Sequence, residues 1–224
     1  TVHPFRLPEK MPISVFMWDW AKTRDPVYLN DMLKRRVNVF HSENLPQPIE
    51  GRPTDFSIVD RTIAATREHG PIMLEFWFMR KGKEGWKPQY EPWVRKVIDH
   101  MTDDLGLNYD QFYLYPFDED LSDQFLEMAK AIKAIDPRVR IFSDETASME
   151  RLKAFAPYVD IWCPHVSGEI GKQPQRDYMK STHPTWTYEA GPQPGKETVL
   201  SCRTMPWLAF EMGLDGVCYW TYHH

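Results

Sequence analysis

Gln111-Phe112-Tyr113-Leu114-Tyr115-Pro116-Phe117-Asp118-Glu119 is the stretch on which the fold turns. Its unbroken apolar and aromatic run reads as a buried strand, of the kind found in parallel sheets. Asp118-Glu119 sits where that strand spills into a loop. Two adjacent carboxylates at the end of a buried strand are costly unless they are paired or used, because a charge there must be satisfied or its pKa must move. In a parallel α/β barrel, the C-terminal ends of the strands form the catalytic rim.

Outward from this stretch, strand-like and helix-like segments alternate. Strands are predicted over 13–20, 37–41, 72–79, 112–117, 139–143, 161–166, 185–188 and 216–222. Helical periodicity fills 55–69, 92–105, 122–135, 148–156 and 203–212. Gly70, Gly106 and Gly213 act as stop signals, and Ser122 as an N-cap. After the first and sixth strands only short helices are expected. The alternation predicts a parallel sheet with right-handed crossovers, and eight repeats fit a (β/α)₈ TIM-type barrel forming one domain over 1–224. A doubly wound sheet would carry a Gly-rich phosphate loop after an early strand, and no such loop is present. The last strand runs nearly to residue 224, so the expectation is a barrel whose last helix is missing or truncated.

Composition narrows the partners. The 224 residues suffice for one sizeable core, although complete barrels of this type usually run to about 250. At 42% hydrophobic and 26% charged, the chain is globular in type. The net charge is −5, and the densest basic run, Lys34-Arg35-Arg36, reads as a solvated helix end, so nucleic acid is not an expected partner. No apolar run approaches the roughly 20 residues of a membrane span, and no secretory signal is recognisable. The chain begins at Thr1 rather than Met, and His223-His224 is as consistent with a tag as with native sequence. Cys163, Cys202 and Cys218 lack metal-ligand spacing and read as buried free thiols. His41 and His165 fall in no HxH or HExxH pattern and read as hydrogen-bonding rim or core histidines. No metal and no cofactor are implied.

Reading only the strand ends gives Asp19, His41, Glu43, Glu75, Asp118-Glu119-Asp120, Asp144-Glu145, His165, Tyr188-Glu189, Trp220 and Tyr222. Crowded carboxylates push each other's pKa values apart, so one can stay protonated near neutrality. Cleavage of a glycosidic bond needs such an acid, together with a group that stabilises the developing positive charge. Aromatic rings stack on sugar C–H faces, and Trp18, Trp20, Trp77, Trp162, Trp186, Tyr188, Trp220 and Tyr222 lie near strand ends; the same rings would also fill a barrel core. These positions point to a glycan. Asp118 and Glu119 are the candidate catalytic pair. Asp19, His41, Glu75, Trp77, His165, Tyr188, Glu189, Trp220 and Tyr222 are the candidate substrate contacts. Each carboxylate also has a structural reading. Asp144-Glu145 would cap the helix near Ser148, and Asp120 the helix after it. Asp19 would bond nearby backbone or Arg24, and Glu75 would be an inward rim group or a buried ion-pair partner.

The last quarter carries a more specific pattern. Trp186-Thr187-Tyr188-Glu189-Ala190-Gly191-Pro192 is followed by Arg203, Pro206-Trp207 and Gly213-Leu214-Asp215-Gly216-Val217-Cys218-Tyr219-Trp220. With Asp160-Ile161-Trp162 and the Asp-Glu pair, this resembles the barrel of glycoside hydrolase family 123 and the related DUF4091 domains. The resemblance implies a retaining β-N-acetylgalactosaminidase-like enzyme assisted by its substrate. Glu119 would be the general acid/base, and Asp118 would orient the 2-acetamido group. Asp120 stands where those relatives commonly carry Pro. Three other readings stay open. The first is a double displacement, with Glu119 as acid/base and Glu189 as nucleophile about 5–5.5 Å away. The second is a glycan-binding barrel without turnover. The third is a metal-dependent isomerase-like barrel using Glu75, Asp144, Glu145 and His165. Secretion or a periplasmic location is expected from the glycan reading alone.

Overall fold

The structure, a computed structural model, is described over residues 11–19, 22–42, 45–48, 52–75, 90–166, 172–189 and 198–220, with side chains from 204 onward in the last of these. Trp20, Glu43, Trp77, Cys202 and Tyr222 lie outside what is described, as backbone or as side chain.

The strands are β1 (Ser14–Met17), β2 (Phe40–His41), β3 (Ile72–Glu75), β4 (Phe112–Tyr115), β5 (Arg140–Ser143), β6 (Ile161–Trp162), β7 (Trp186–Glu189) and β8 (Gly216–Tyr219). Between them run α1 (Pro26–Lys34), α2 (Ser57–Thr66), α3 (Glu91–Asp99), α4 (Asp123–Ile135), α5 (Met149–Phe155), α6 (Gln173–Thr182) and α7 (Thr198–Met212). β2 through β6 pair in chain order, and β7-β8-β1 forms a second parallel group. Bridges from Phe16 to Val39 and from Trp162 to Thr185 join the two groups and close the ring. The fold is an eight-stranded parallel α/β barrel of the TIM type with seven α-helices among the described residues, and the expected lack of a closing helix falls beyond Trp220, outside the described residues.

Period-two alternation divides each strand between two cores. Phe16, Trp18, Val39, Met73, Tyr113, Tyr115, Phe142, Cys163, Trp186, Tyr188 and Cys218 pack together in the lumen. Their strand neighbours Val15, Phe40, Ile72, Leu74, Phe112, Leu114 and Ile141 face the helices and meet Met32, Val59, Ile63, Val94, Phe125 and Met128. α4 shows the logic at one helix. Ser122 accepts the Phe125 N–H at 3.3 Å, and Phe125, Met128, Ala129 and Ile132 make one buried stripe. Lys133 in its last turn reaches Asp160 at 2.7 Å and the Val139 carbonyl at 2.7 Å, tying the helix to the starts of β5 and β6. Gly70 precedes β3 because a Cβ there would lie 1.9 Å from the Asn38 carbonyl oxygen.

Two expectations change. α1 and α6 have nine and ten residues, matching α3 and α2 in length rather than being short. Each buries a single methionine, Met32 or Met179, so the apolar stripe that signals a helix is thin. Their starts were legible instead in Asp25-Pro26 and Lys172-Gln173-Pro174, since proline suits the first turn. The helix expected over 92–105 splits into α3 and a π-helical turn, His100–Asp104, and stops before Gly106 at φ 64°. Lys34-Arg35-Arg36 is a helix end, with Arg35 as C-cap and Arg36 at φ 66°. Cys163 and Cys218 are buried free thiols whose sulfurs lie 3.3 Å apart.

Candidate active site

β4 points Tyr115 into the lumen and then delivers the two carboxylates to the rim. Phe117 anchors the exit by stacking on Phe125, with centroids 5.2 Å apart and planes within 6°. Asp118 and Glu119 follow, both exposed. Glu119 has φ 46°, a left-handed conformation shared among the described non-glycine residues only by Arg36. Such a backbone costs on the order of 1–3 kcal/mol and persists only where its surroundings over-determine it. Here the Glu119 N–H donates to Asp144 Oδ1 at 2.9 Å, and the Tyr188 hydroxyl donates a short hydrogen bond to Glu119 Oε1. Burial, reinforced by that bond, pushes the Tyr188 phenol far above its ordinary range, so it remains a donor.

Asp118 is held from the lumen side. Its Oδ1 lies 2.9 Å from the Tyr115 hydroxyl, which also lies 2.5 Å from Asp144 Oδ2. Asp144 directly follows β5 and is 3% exposed. Burial drives its carboxyl well above the usual carboxylate range, opposed by the Tyr115 contact and reinforced by the charge of Asp118. Burial also lifts Tyr115 well above the ordinary phenol range, and the Asp144 and Asp118 charges add to it. Trp18 lies edge-on to both tyrosines, 5.6 Å from Tyr188 and 6.5 Å from Tyr115. His165 sets its ring edge on Tyr188 at 4.8 Å, and its Nε2 is 3.6 Å from Glu189 Oε1. Glu189 ends β7 one residue after inward-facing Tyr188 and is 26% exposed in its side chain. Trp220, 42% exposed, donates its backbone N–H to the Glu189 carbonyl at 3.1 Å.

The predicted residues therefore divide. Asp118, Glu119, His165, Tyr188, Glu189 and Trp220 gather at the ends of β4, β6, β7 and β8. Asp19, His41 and Glu75 have no exposed surface and sit as a buried group inside the barrel. Glu75 Oε1 lies 2.8 Å from His41 Nε2, and Asp19 Oδ2 accepts the Thr23 N–H at 3.1 Å. Glu75 is thus a buried ion-pair partner, and Asp19 bonds nearby backbone. Neither capping expectation holds. Ser148 caps α5 and Ser122 caps α4, while Asp144 is spent on Tyr115 and Glu119, and Asp120 is buried beside its capped helix. Short serines fit the cap geometry next to the helix, whereas Asp144 and Asp120 lie too many residues upstream of it. Tyr115 carries no sequence signal of a functional role, because it reads as one more aromatic of a buried strand. Glu75, Asp144, Glu145 and His165 form no metal-binding group among the described residues.

Fold and rim together define a TIM-type barrel with a paired-carboxylate site at the C-terminal strand ends. No protein-family model matches the chain, and no curated protein sequence matches it. Solved structures match its fold. Cel5A of Thermotoga maritima aligns at TM-score 0.64 and 12% identity, over 96% of this chain and 89% of that one. The endo-1,4-β-D-mannanase of Thermotoga petrophila aligns at TM-score 0.62 and 14% identity, over 94% and 88%. A truncated 3-deoxy-D-arabino-heptulosonate 7-phosphate synthase of Thermotoga maritima also aligns, at TM-score 0.54 and 9% identity, over 92% and 74%. Likeness at this level is likeness of fold, and one barrel scaffold hosts several chemistries.

Proposed function

We propose that this barrel is a retaining glycosidase acting on a 2-acetamido sugar, of the type found in glycoside hydrolase family 123. The observation that carries the reading is the posture of Asp118-Glu119. Both carboxylates are exposed at the end of β4, and each accepts a tyrosine hydroxyl from the barrel wall. Glu119 protonates the glycosidic oxygen. The acetamido carbonyl oxygen attacks the anomeric carbon, while Asp118 orients the amide by accepting its N–H. The bond to the leaving oxygen breaks and an oxazolinium ring closes. Glu119, now a base, takes a proton from the water that reopens the ring, so configuration is retained. Trp18 packs edge-on against Tyr188 from within the lumen and backs the tyrosine that holds Glu119. The mannanase neighbour, and Cel5A with its cellobiose substrate, support glycan cleavage by analogy of fold.

Glu189 keeps a second reading in play: a double displacement with Glu189 as nucleophile. It is favoured by the position of Glu189 at the end of β7, beside the tyrosine that holds Glu119. Two variants separate the schemes. D118N should abolish turnover of an aryl 2-acetamido glycoside in the first scheme, and E189Q should do so in the second. Binding of an N-acetylgalactosamine thiazoline, a mimic of the cyclised intermediate, should exceed that of the free sugar and be lost in D118N. A folded sample that ignores the thiazoline removes the substrate-assisted scheme. Saturable glycan binding with no product would make the barrel a binding module.

A further inference from the structure

The Tyr115 hydroxyl carries one proton but faces two carboxyl oxygens, Asp118 Oδ1 at 2.9 Å and Asp144 Oδ2 at 2.5 Å. If both carboxyls were anions, that proton could serve only one, and the other contact would set two oxygen lone pairs against each other. Both contacts are attractive when one carboxyl is protonated and donates to the Tyr115 oxygen. The two candidates differ in environment. Asp118 is exposed, whereas Asp144 is buried, with its Oδ1 already accepting the Glu119 N–H. Among the described residues, the titratable groups facing Asp144 are Tyr115 from β4, Asp118 and Glu119 from the following loop, Cys163 beyond β6 and Tyr188 from β7. None of these is a cation that could balance a buried charge.

We infer that Asp144 is a positioning residue that works as a neutral acid: it donates to Tyr115, Tyr115 donates to Asp118, and Asp144 Oδ1 pins the left-handed Glu119 backbone. One buried side chain thereby holds both members of the working pair. It aims Asp118 through the tyrosine and keeps the charge of the chain on the exposed carboxylate. It also holds Glu119 in a conformation that an unsupported glutamate would leave. The burial that drives the Asp144 carboxyl upward agrees with this arrangement. The catalytic consequence rests on the reading of Asp118-Glu119 as the working pair; the protonation of Asp144 does not.

Asp144→Asn is the diagnostic exchange. Its amide oxygen can accept the Glu119 N–H and its N–H can donate to Tyr115, as the neutral acid does. Asp144→Ala loses both contacts. D144A is expected to lower kcat by about 100-fold with little change in KM, since misplaced catalytic groups cost on that order. D144N is expected to recover most of that loss. The second readout needs no substrate. A group that binds its proton more tightly folded than unfolded loses its stabilising effect as pH rises from the unfolded toward the folded pKa. The folding equilibrium of D144N should therefore gain on wild type by about tenfold per pH unit above the ordinary carboxylate range. Stability curves for D144N and wild type that run parallel from roughly pH 5 to 8 would overturn the inference. So would a D144N enzyme as impaired as D144A. If D144A does not fold, Y115F replaces it, removing only the hydroxyl; an unchanged kcat would count against the relay. If no glycan is cleaved by wild type, the functional reading falls and the stability arm still decides the state of Asp144.

Discussion

Exchanging Glu75 for Gln probes how the lumen carries buried charge. His41 Nε2 and Glu75 Oε1 lie 2.8 Å apart with neither side chain exposed, in an approach off the hydrogen-bond direction. With the imidazole protonated and the carboxyl ionised, unit charges at that spacing attract by about 6 kcal/mol at an effective dielectric near 20. Desolvation opposes this by several kcal/mol per ion, so the intact pair is close to neutral for stability. Removing one partner strands the other and costs about 3–5 kcal/mol. Asp19 also faces His41: burial raises its carboxyl and the His41 charge opposes the rise. In E75Q the imidazole keeps this second carboxylate, which places the cost near the lower end, about 3 kcal/mol. In H41Q two carboxylates lose one partner, so that variant should be the more damaged. For a chain of this size, about 3 kcal/mol lowers Tm by roughly 6–12 °C. Urea unfolding followed by tryptophan fluorescence at neutral pH measures both variants and their double, with the midpoint moving at constant slope. The double variant should show a coupling of at least about 1 kcal/mol. Single variants within about 0.5 kcal/mol of wild type, or strictly additive losses, would refute the reasoning.

Three other outcomes are expected. Asp136 accepts two guanidinium N–H groups of Arg138 at 3.0 and 2.8 Å and the Tyr109 hydroxyl at 2.7 Å, and the Arg138 bonds hold its carboxyl far below the usual range. This contribution is present above the unfolded pKa and is lost as pH falls toward the folded one. D136N should thus cost about 1–2 kcal/mol at neutral pH, with the gap to wild type closing on acidification below about pH 4. G70A drives a methyl into the Asn38 carbonyl, whose strand neighbours cannot yield, and calorimetry should show a loss above about 2 kcal/mol. S122A removes the cap of α4 and should lower the urea midpoint by the equivalent of about 1 kcal/mol.

The chain's own pattern determined the strand–helix alternation. Phe112 to Tyr115 reads as a doubly buried strand, and Ser122 with Phe125, Met128, Ala129 and Ile132 reads as a capped amphipathic helix, because period and caps are local properties of a segment. The same locality placed Asp118, Glu119, His165, Tyr188 and Glu189 at strand ends. It also fixed the limits of that reading. Asp19, His41 and Glu75 stand at strand ends too, yet burial inside the barrel sets them against one another rather than at the surface. Tertiary structure alone decided the partnerships. Tyr188 reaches Glu119 across 69 residues of chain, and Asp144 reaches the Glu119 backbone across 25. The left-handed turn at Glu119 has no sequence signature, since glutamate adopts it only when those partners hold it. The physical reason is closure of the ring. Periodicity states which face of a strand a side chain occupies, but only the pairing of β1 with β8 and of β6 with β7 sets which strand ends look at each other across the rim.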